Sequence, residues 1–227
     1  MTRQVYGSAR RGHPPGRHGL LTCAPDRLAL VSGGPLDLVV EVAVGEIRRR
    51  PSRIDRMRID TVLRTGYTQI AEGSGWLRCI DPGVYRRLRR TALPHGPGTP
   101  PPVPAMPPDR VGRAGTGNVV IGPAGGTRRG YPLRVLTDHP VFFDHALDHV
   151  PGMLAIEALR QAAVVGAGLP GARLTAVDAQ FDGFLELDRD CTVIPRVRTE
   201  QRGGWDVLVD IEQNERSVVR GSVSLTS

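Results

Sequence analysis

The sequence contains no lysine: all 30 of its basic residues are arginine, and against 23 acidic residues they leave a formal net charge of +7. That total preference, with abundant Ala, Gly and Pro, is better explained by a GC-rich coding bias than by a function. Aromatic residues make up only 4% of the chain, which leaves few platforms for stacking bases. No helix-turn-helix, zinc-finger or aromatic-basic motif accompanies the charge, so nucleic acid is not an expected partner. The three cysteines, Cys23, Cys79 and Cys191, are odd in number and far apart. They suggest neither a disulfide framework nor a zinc knuckle, and a reducing cytoplasm is the expected location. No apolar run approaches the ~20 residues of a membrane span, and no hydrophobic signal segment follows the basic start of the chain. No membrane association is expected.

What is present divides into two units. Residues 1–26 are rich in Arg, Gly, Pro and His without any period, and are read as disordered or as a truncated start. Residues 27–93 carry the first patterned stretch. Leu36, Leu38, Val40, Val42 and Val44 alternate strictly, as do Met57, Ile59, Thr61 and Leu63, which marks two half-buried strands. A third strand is expected over Thr68–Ile80, and Tyr85–Arg90 reads as a short basic helical turn. Residues 94–109 are so rich in proline that they predict a stiff, extended linker.

The second unit, residues 110–227, contains the strongest helical signal. Pro151 sits where a first helical position favours proline, and Met153–Gly166 is apolar on almost every side. A helix of that kind is a buried one. Strands are expected at Leu174–Phe181, Thr192–Thr199, Trp205–Ile211 and Val218–Leu225. The last two align with the first unit at a constant offset: Met57, Ile59, Thr61 and Leu63 fall under Trp205, Val207, Val209 and Ile211, and Gly73-Ser74 under Gly221-Ser222. The first unit thus predicts a half-repeat of strands without a helix of its own. The expected class is α+β, with an antiparallel sheet wrapped around one long buried helix, which is the hotdog arrangement.

Chemistry concentrates on and before that helix. Glu157 and Arg160 are three apart and share a face, with Gln161 one turn from Glu157. A carboxylate and a guanidinium in an apolar helix are costly unless paired. Burial is expected to raise the Glu157 pKa towards neutrality and suit it to general-base work. The bland alternative is an ion pair that locks the helix to the sheet. The His and Asp residues of 138–149 could line a substrate site, His145, His149 and Asp148 best of all, or could simply seat the helix start. A metal site is the least favoured reading. No cofactor is called for, and Cys191 reads as a structural thiol.

Asp138-His139-Pro140, Phe143-Asp144-His145 and Asp148-His149-Val150-Pro151-Gly152-Met153, running into Glu157-Ala158-Leu159-Arg160-Gln161, closely resemble the A-factor biosynthesis hotdog family. Glu46–Arg50 and Pro82–Arg89 resemble the strand-and-tail region of that family's first repeat. Members usually carry two full repeats, each with an acid-to-arginine helix motif, and this chain keeps the second. The resemblance implies an acyltransferase that joins a β-ketoacyl group, delivered on acyl carrier protein, to dihydroxyacetone phosphate on the way to a γ-butyrolactone autoregulator. It also implies that Glu157 and Arg160 are the functional pair. Alternatives are a non-catalytic remnant that binds acyl ligands or a full-length paralogue, and an acyl thioesterase or dehydratase. A homodimer formed through sheet edges is a further expectation.

Overall fold

A computed structural model of the chain describes residues 20–23, 37–51, 53–125, 129–201 and 204–226. Its strands are β1 (Leu20–Cys23), β2 (Val39–Arg50), β3 (Arg53–Thr65), β4 (Thr68–Arg78), β5 (Tyr131–Pro132), β6 (Arg173–Phe181), β7 (Cys191–Gln201), β8 (Gly204–Gln213) and β9 (Arg216–Thr226). Among the described residues two α-helices interrupt them, α1 (Pro82–Ala92) and α2 (Gly152–Ala167), with short 3₁₀ turns at Pro108–Val111 and Thr116–Asn118. All nine strands join one sheet in the order β2-β3-β4-β1-β6-β9-β8-β7-β5, and every pairing is antiparallel.

The half-repeat is visible in the register. Thr61 faces Gly73 across β3 and β4, and Val209 faces Gly221 across β8 and β9. The same alternation in both hairpins has produced the same pairing. Strand β1 stitches the two halves together, lying between β4 and β6. This corrects the reading of residues 1–26 as wholly unstructured: four residues are too few to show a period, but two open strand edges supply backbone partners for them. The rest of that segment lies outside the described residues.

Helix α2 is the core. Leu154, Ala155, Ala158, Leu159, Ala162, Ala163 and Val164 are at most 1% exposed, and they pack against β6 to β9. The helix is not buried all round, because Met153 is 63% exposed. It stops at Gly168, whose left-handed φ of 69° lets its amide reach the Val164 and Val165 carbonyls. Gly221 makes room on the sheet: a Cβ there would come within 2.5 Å of Leu159 Cδ1.

Two expectations change in detail. The basic turn at Tyr85–Arg90 is a full helix, α1, capped by Asp81, whose carboxylate accepts the Gly83 and Val84 amides, and started by Pro82. The proline-rich stretch is extended but not a free spacer. Met106 is buried in the core of the second unit and its amide bonds the Ile121 carbonyl. At the far side of the molecule β2 is exposed throughout, with Val40, Val42 and Val44 more than half exposed.

Candidate active site

The middle of α2 carries a closed polar cluster. Glu157 Oε1 accepts hydrogen bonds from Arg113 Nε (2.9 Å), Arg160 Nη2 (2.8 Å) and Gln161 Nε2 (2.6 Å), while Oε2 accepts from Arg160 Nε (3.0 Å). Arg160 Nη2 also donates to the Val111 carbonyl at 2.9 Å. The helix periodicity brings Glu157, Arg160 and Gln161 to one side. Arg113 comes from the loop after the first 3₁₀ turn, and nothing in the sequence near it marks it as a partner.

The electrostatics overturn one expectation. Burial does push the Glu157 carboxyl upward, but the Arg160 guanidinium, Arg113 and Gln161 outweigh it and hold the group below its ordinary 4.5. Sequence reasoning registered the burial and missed the second guanidinium. Gln161, expected at the substrate, lies in the same cluster. It is completely buried, its Oε1 accepts the Val120 amide at 3.0 Å, and its Nε2 donates to the Asn118 carbonyl at 2.7 Å. It fastens the 118–120 segment to the helix.

A second cluster stands just before α2 and ties it to α1. Arg89, only 6% exposed, places Nη1 and Nη2 on the two oxygens of Glu186, both at 2.8 Å. Its Nε bonds Asp148 Oδ2 and its Nη2 the Asp148 carbonyl, again at 2.8 Å. Tyr85 donates its hydroxyl to Asp148 Oδ1 at 2.8 Å, and the same oxygen pairs with His149 Nδ1. Phe184 lies under this group, 4.8 Å from the Arg89 guanidinium and 4.8 Å from the His149 ring. Burial would raise the Asp148 carboxyl, yet His149, Arg89 and Tyr85 together hold it low. Burial drives the His149 imidazole down despite the pull of Asp148, which favours the neutral ring.

The histidines do not converge. His139 accepts the Val141 and Phe142 amides on Nδ1 and pairs with Asn118 through Nε2, so it shapes the loop. His145 pairs with its exposed neighbour Asp144 and joins neither cluster. No group of three or more His, Cys, Asp or Glu side chains among the described residues is placed to hold a metal ion. Cys191 is buried, and burial pushes its thiol up to about 12. No helix among the described residues is long and apolar enough to cross a membrane.

A curved antiparallel sheet wrapped on one buried helix, with a charged pair on that helix, defines a hotdog-domain protein. Solved structures agree on the fold. A protein described as a thioesterase from Novosphingobium aromaticivorans superposes with a TM-score of 0.55 at 15% identity, covering 92% of this chain and 78% of its own. A tesB protein of Mycobacterium avium subsp. paratuberculosis gives 0.52 at 11% identity, covering 92% and 77%.

More particularly, residues 97–227 match the A-factor biosynthesis hotdog domain, and the chain belongs to that family. Its relatives include proteins named 2-oxo-3-(phosphooxy)propyl 3-oxoalkanoate synthase. The one from Streptomyces virginiae is 38% identical over 165 residues, 72% of this chain and 55% of the relative. That from Streptomyces coelicolor is 36% identical over 202 residues, 85% and 62% respectively, and that from Streptomyces griseus 35% over 190 residues, 80% and 61%. The chain therefore spans between about half and three-fifths of the length of these relatives.

Proposed function

We propose that this protein is an acyltransferase that moves a 3-oxoacyl group from an acyl carrier protein to a hydroxyl of dihydroxyacetone phosphate, the ester being a precursor of a γ-butyrolactone signal. The observation that carries the reading is the family match across α2 and its flanking loop, taken with the relatives' name, which describes that ester. In the reaction the hydroxyl oxygen attacks the thioester carbonyl. A C–O bond forms, the C–S bond breaks, and the hydroxyl proton passes through a base to the departing thiol.

Arg160 is assigned to the developing oxyanion or to the phosphate, with Arg113 beside it: two guanidiniums share one carboxylate, leaving one net positive charge. Glu157 stays ionised at neutral pH and is assigned the hydroxyl proton, which it takes only by releasing one of its three donors. Asp148 and His149, with Tyr85, form the polar wall on the α1 side. The chain is divided into a first hotdog-type half, residues 27–93, and a complete unit, residues 110–227, joined by 94–109. The exposed edge strand β2 is the assigned contact for a homodimer.

A second reading, an acyl-binding protein without turnover, is favoured by the saturated hydrogen bonding of Glu157. Incubating the protein with a β-ketoacyl carrier protein and dihydroxyacetone phosphate separates the possibilities. Phosphorylated ester supports transfer, free acid without ester indicates a thioesterase, and no turnover indicates the binding protein.

A further inference from the structure

Helix α1 exposes arginines that neither cluster uses. Arg86, Arg87 and Arg90 are exposed, form no ion pair among the described residues, and line one cleft of about 760 Å³. Tyr85, Asp81 and Asp148 line the same cleft. Like charges three and four apart on a helix repel, so the 86/90 and 87/90 pairs weaken α1 unless something negative sits between them.

The carboxylates at the cleft are already engaged and do not balance three guanidiniums. Asp148 is consumed by Tyr85, His149 and Arg89, and Arg89 is itself consumed by Glu186 and Asp148. Asp81 caps α1 through the Gly83 and Val84 amides, which, more than the nearby Arg87 charge, keep its carboxyl low. Three guanidiniums therefore share the cleft with two carboxylates that are both already engaged. Their planar forks match tetrahedral oxyanions in two-point contacts, and the cleft's volume suits a small ligand rather than a protein surface.

We infer that the cleft between α1 and the Asp148 loop is a phosphoryl-binding site, with Arg86, Arg87 and Arg90 as its anion ligands. The buried Arg89–Asp148–Glu186 linkage fixes the cleft's geometry by bolting α1 to the loop that leads into α2. The site rests on the cleft's own charge; its use during catalysis rests on the transfer reading above. Two sources share the chemistry, the phosphomonoester of a triose phosphate and the phosphodiester of a pantetheine arm.

Calorimetric titration without any acyl donor tests this independently of turnover. The probes are dihydroxyacetone phosphate, unphosphorylated dihydroxyacetone and a pantetheine phosphodiester. They are titrated into the wild type, into the triple Arg86→Ala/Arg87→Ala/Arg90→Ala variant, and into Arg216→Ala, which removes an exposed charge elsewhere. Circular dichroism confirms that the triple variant is folded. The expected result is binding of a phosphorylated probe, no binding of dihydroxyacetone, and at least tenfold weaker affinity in the triple variant with Arg216→Ala unchanged. Whichever phosphorylated probe is lost identifies the source. The inference is overturned if neither phosphorylated probe binds the wild type, or if the triple variant binds them as well as Arg216→Ala does. Loss of transfer with phosphate binding intact would count against the reaction assigned above and leave the site standing.

Discussion

Gly221 on β9 lies directly beneath Leu159 of α2, so close that a Cβ at 221 would stand 2.5 Å from the Leu159 Cδ1 atom. The helix can press onto the sheet only because that position has no side chain. Gly221→Ala should destabilise by about 1–3 kcal/mol through overpacking, and Leu159→Ala by about 2–5 kcal/mol through the cavity it leaves. In the double variant the new methyl enters the vacated space, so the loss should fall short of the sum by at least ~0.5 kcal/mol. Urea unfolding of the four proteins measures this. Strict additivity would show that the two positions do not touch.

Glu157 links a pH dependence to the site. Its folded-state pKa lies below the ordinary 4.5, so as the pH falls the unfolded chain takes up the proton first. The stabilisation is complete above about 4.5 and is lost as the pH drops through the lower, folded value. Glu157→Gln leaves Arg160 and Arg113 without their carboxylate and should cost about 3 kcal/mol at pH 7. Melting curves should show that gap closing below pH 4.5. A gap that widens in acid would mean that the carboxyl is raised rather than lowered.

The long helix was legible in the sequence because its signals are local: Pro151 before it, Gly168 after it and a stretch between that is apolar on almost every side. The β3–β4 and β8–β9 hairpins were legible for the same reason, since alternation sets register one residue at a time. Pairing across distance was not. Arg113 meets Glu157 from 44 positions away and Arg89 meets Glu186 from 97, and no local pattern marks either arginine. The direction of the Glu157 shift was misjudged because burial was weighed above the ion pair: Arg160 lowers the carboxyl most, and Arg113 and Gln161 add to it. Strand β1 was missed because its four residues gain their order from the edges of β4 and β6.

Arg89 holds α1 to the second unit. Arg89→Ala would leave Asp148 and Glu186 facing each other without their shared cation, and should cost about 3–5 kcal/mol. Hydrogen exchange should report the loss first at the α1 amides of residues 85–92. Protection there equal to the wild type would show that α1 is held by other contacts.

Cys191 is buried beside Gln213, which donates Nε2 to its sulfur at 3.0 Å, and its thiol is pushed up to about 12. Alkylation at pH 8 should spare it in the folded protein and reach it only in denaturant. Cys79 is partly exposed and should label in the native state. Peptide mass spectrometry distinguishes the two sites, and native labelling of Cys191 at the rate of Cys79 would contradict the packing described.

The most direct measurement is mass-spectrometric detection of the product formed from a β-ketoacyl carrier protein and dihydroxyacetone phosphate by the wild type and by Arg160→Ala. The expected result is a phosphorylated 3-oxoacyl ester from the wild type and at least a hundredfold less from a folded Arg160→Ala protein, equivalent to about 2.7 kcal/mol of lost transition-state stabilisation. Free acid in place of ester, or an Arg160→Ala protein as active as the wild type, would contradict it.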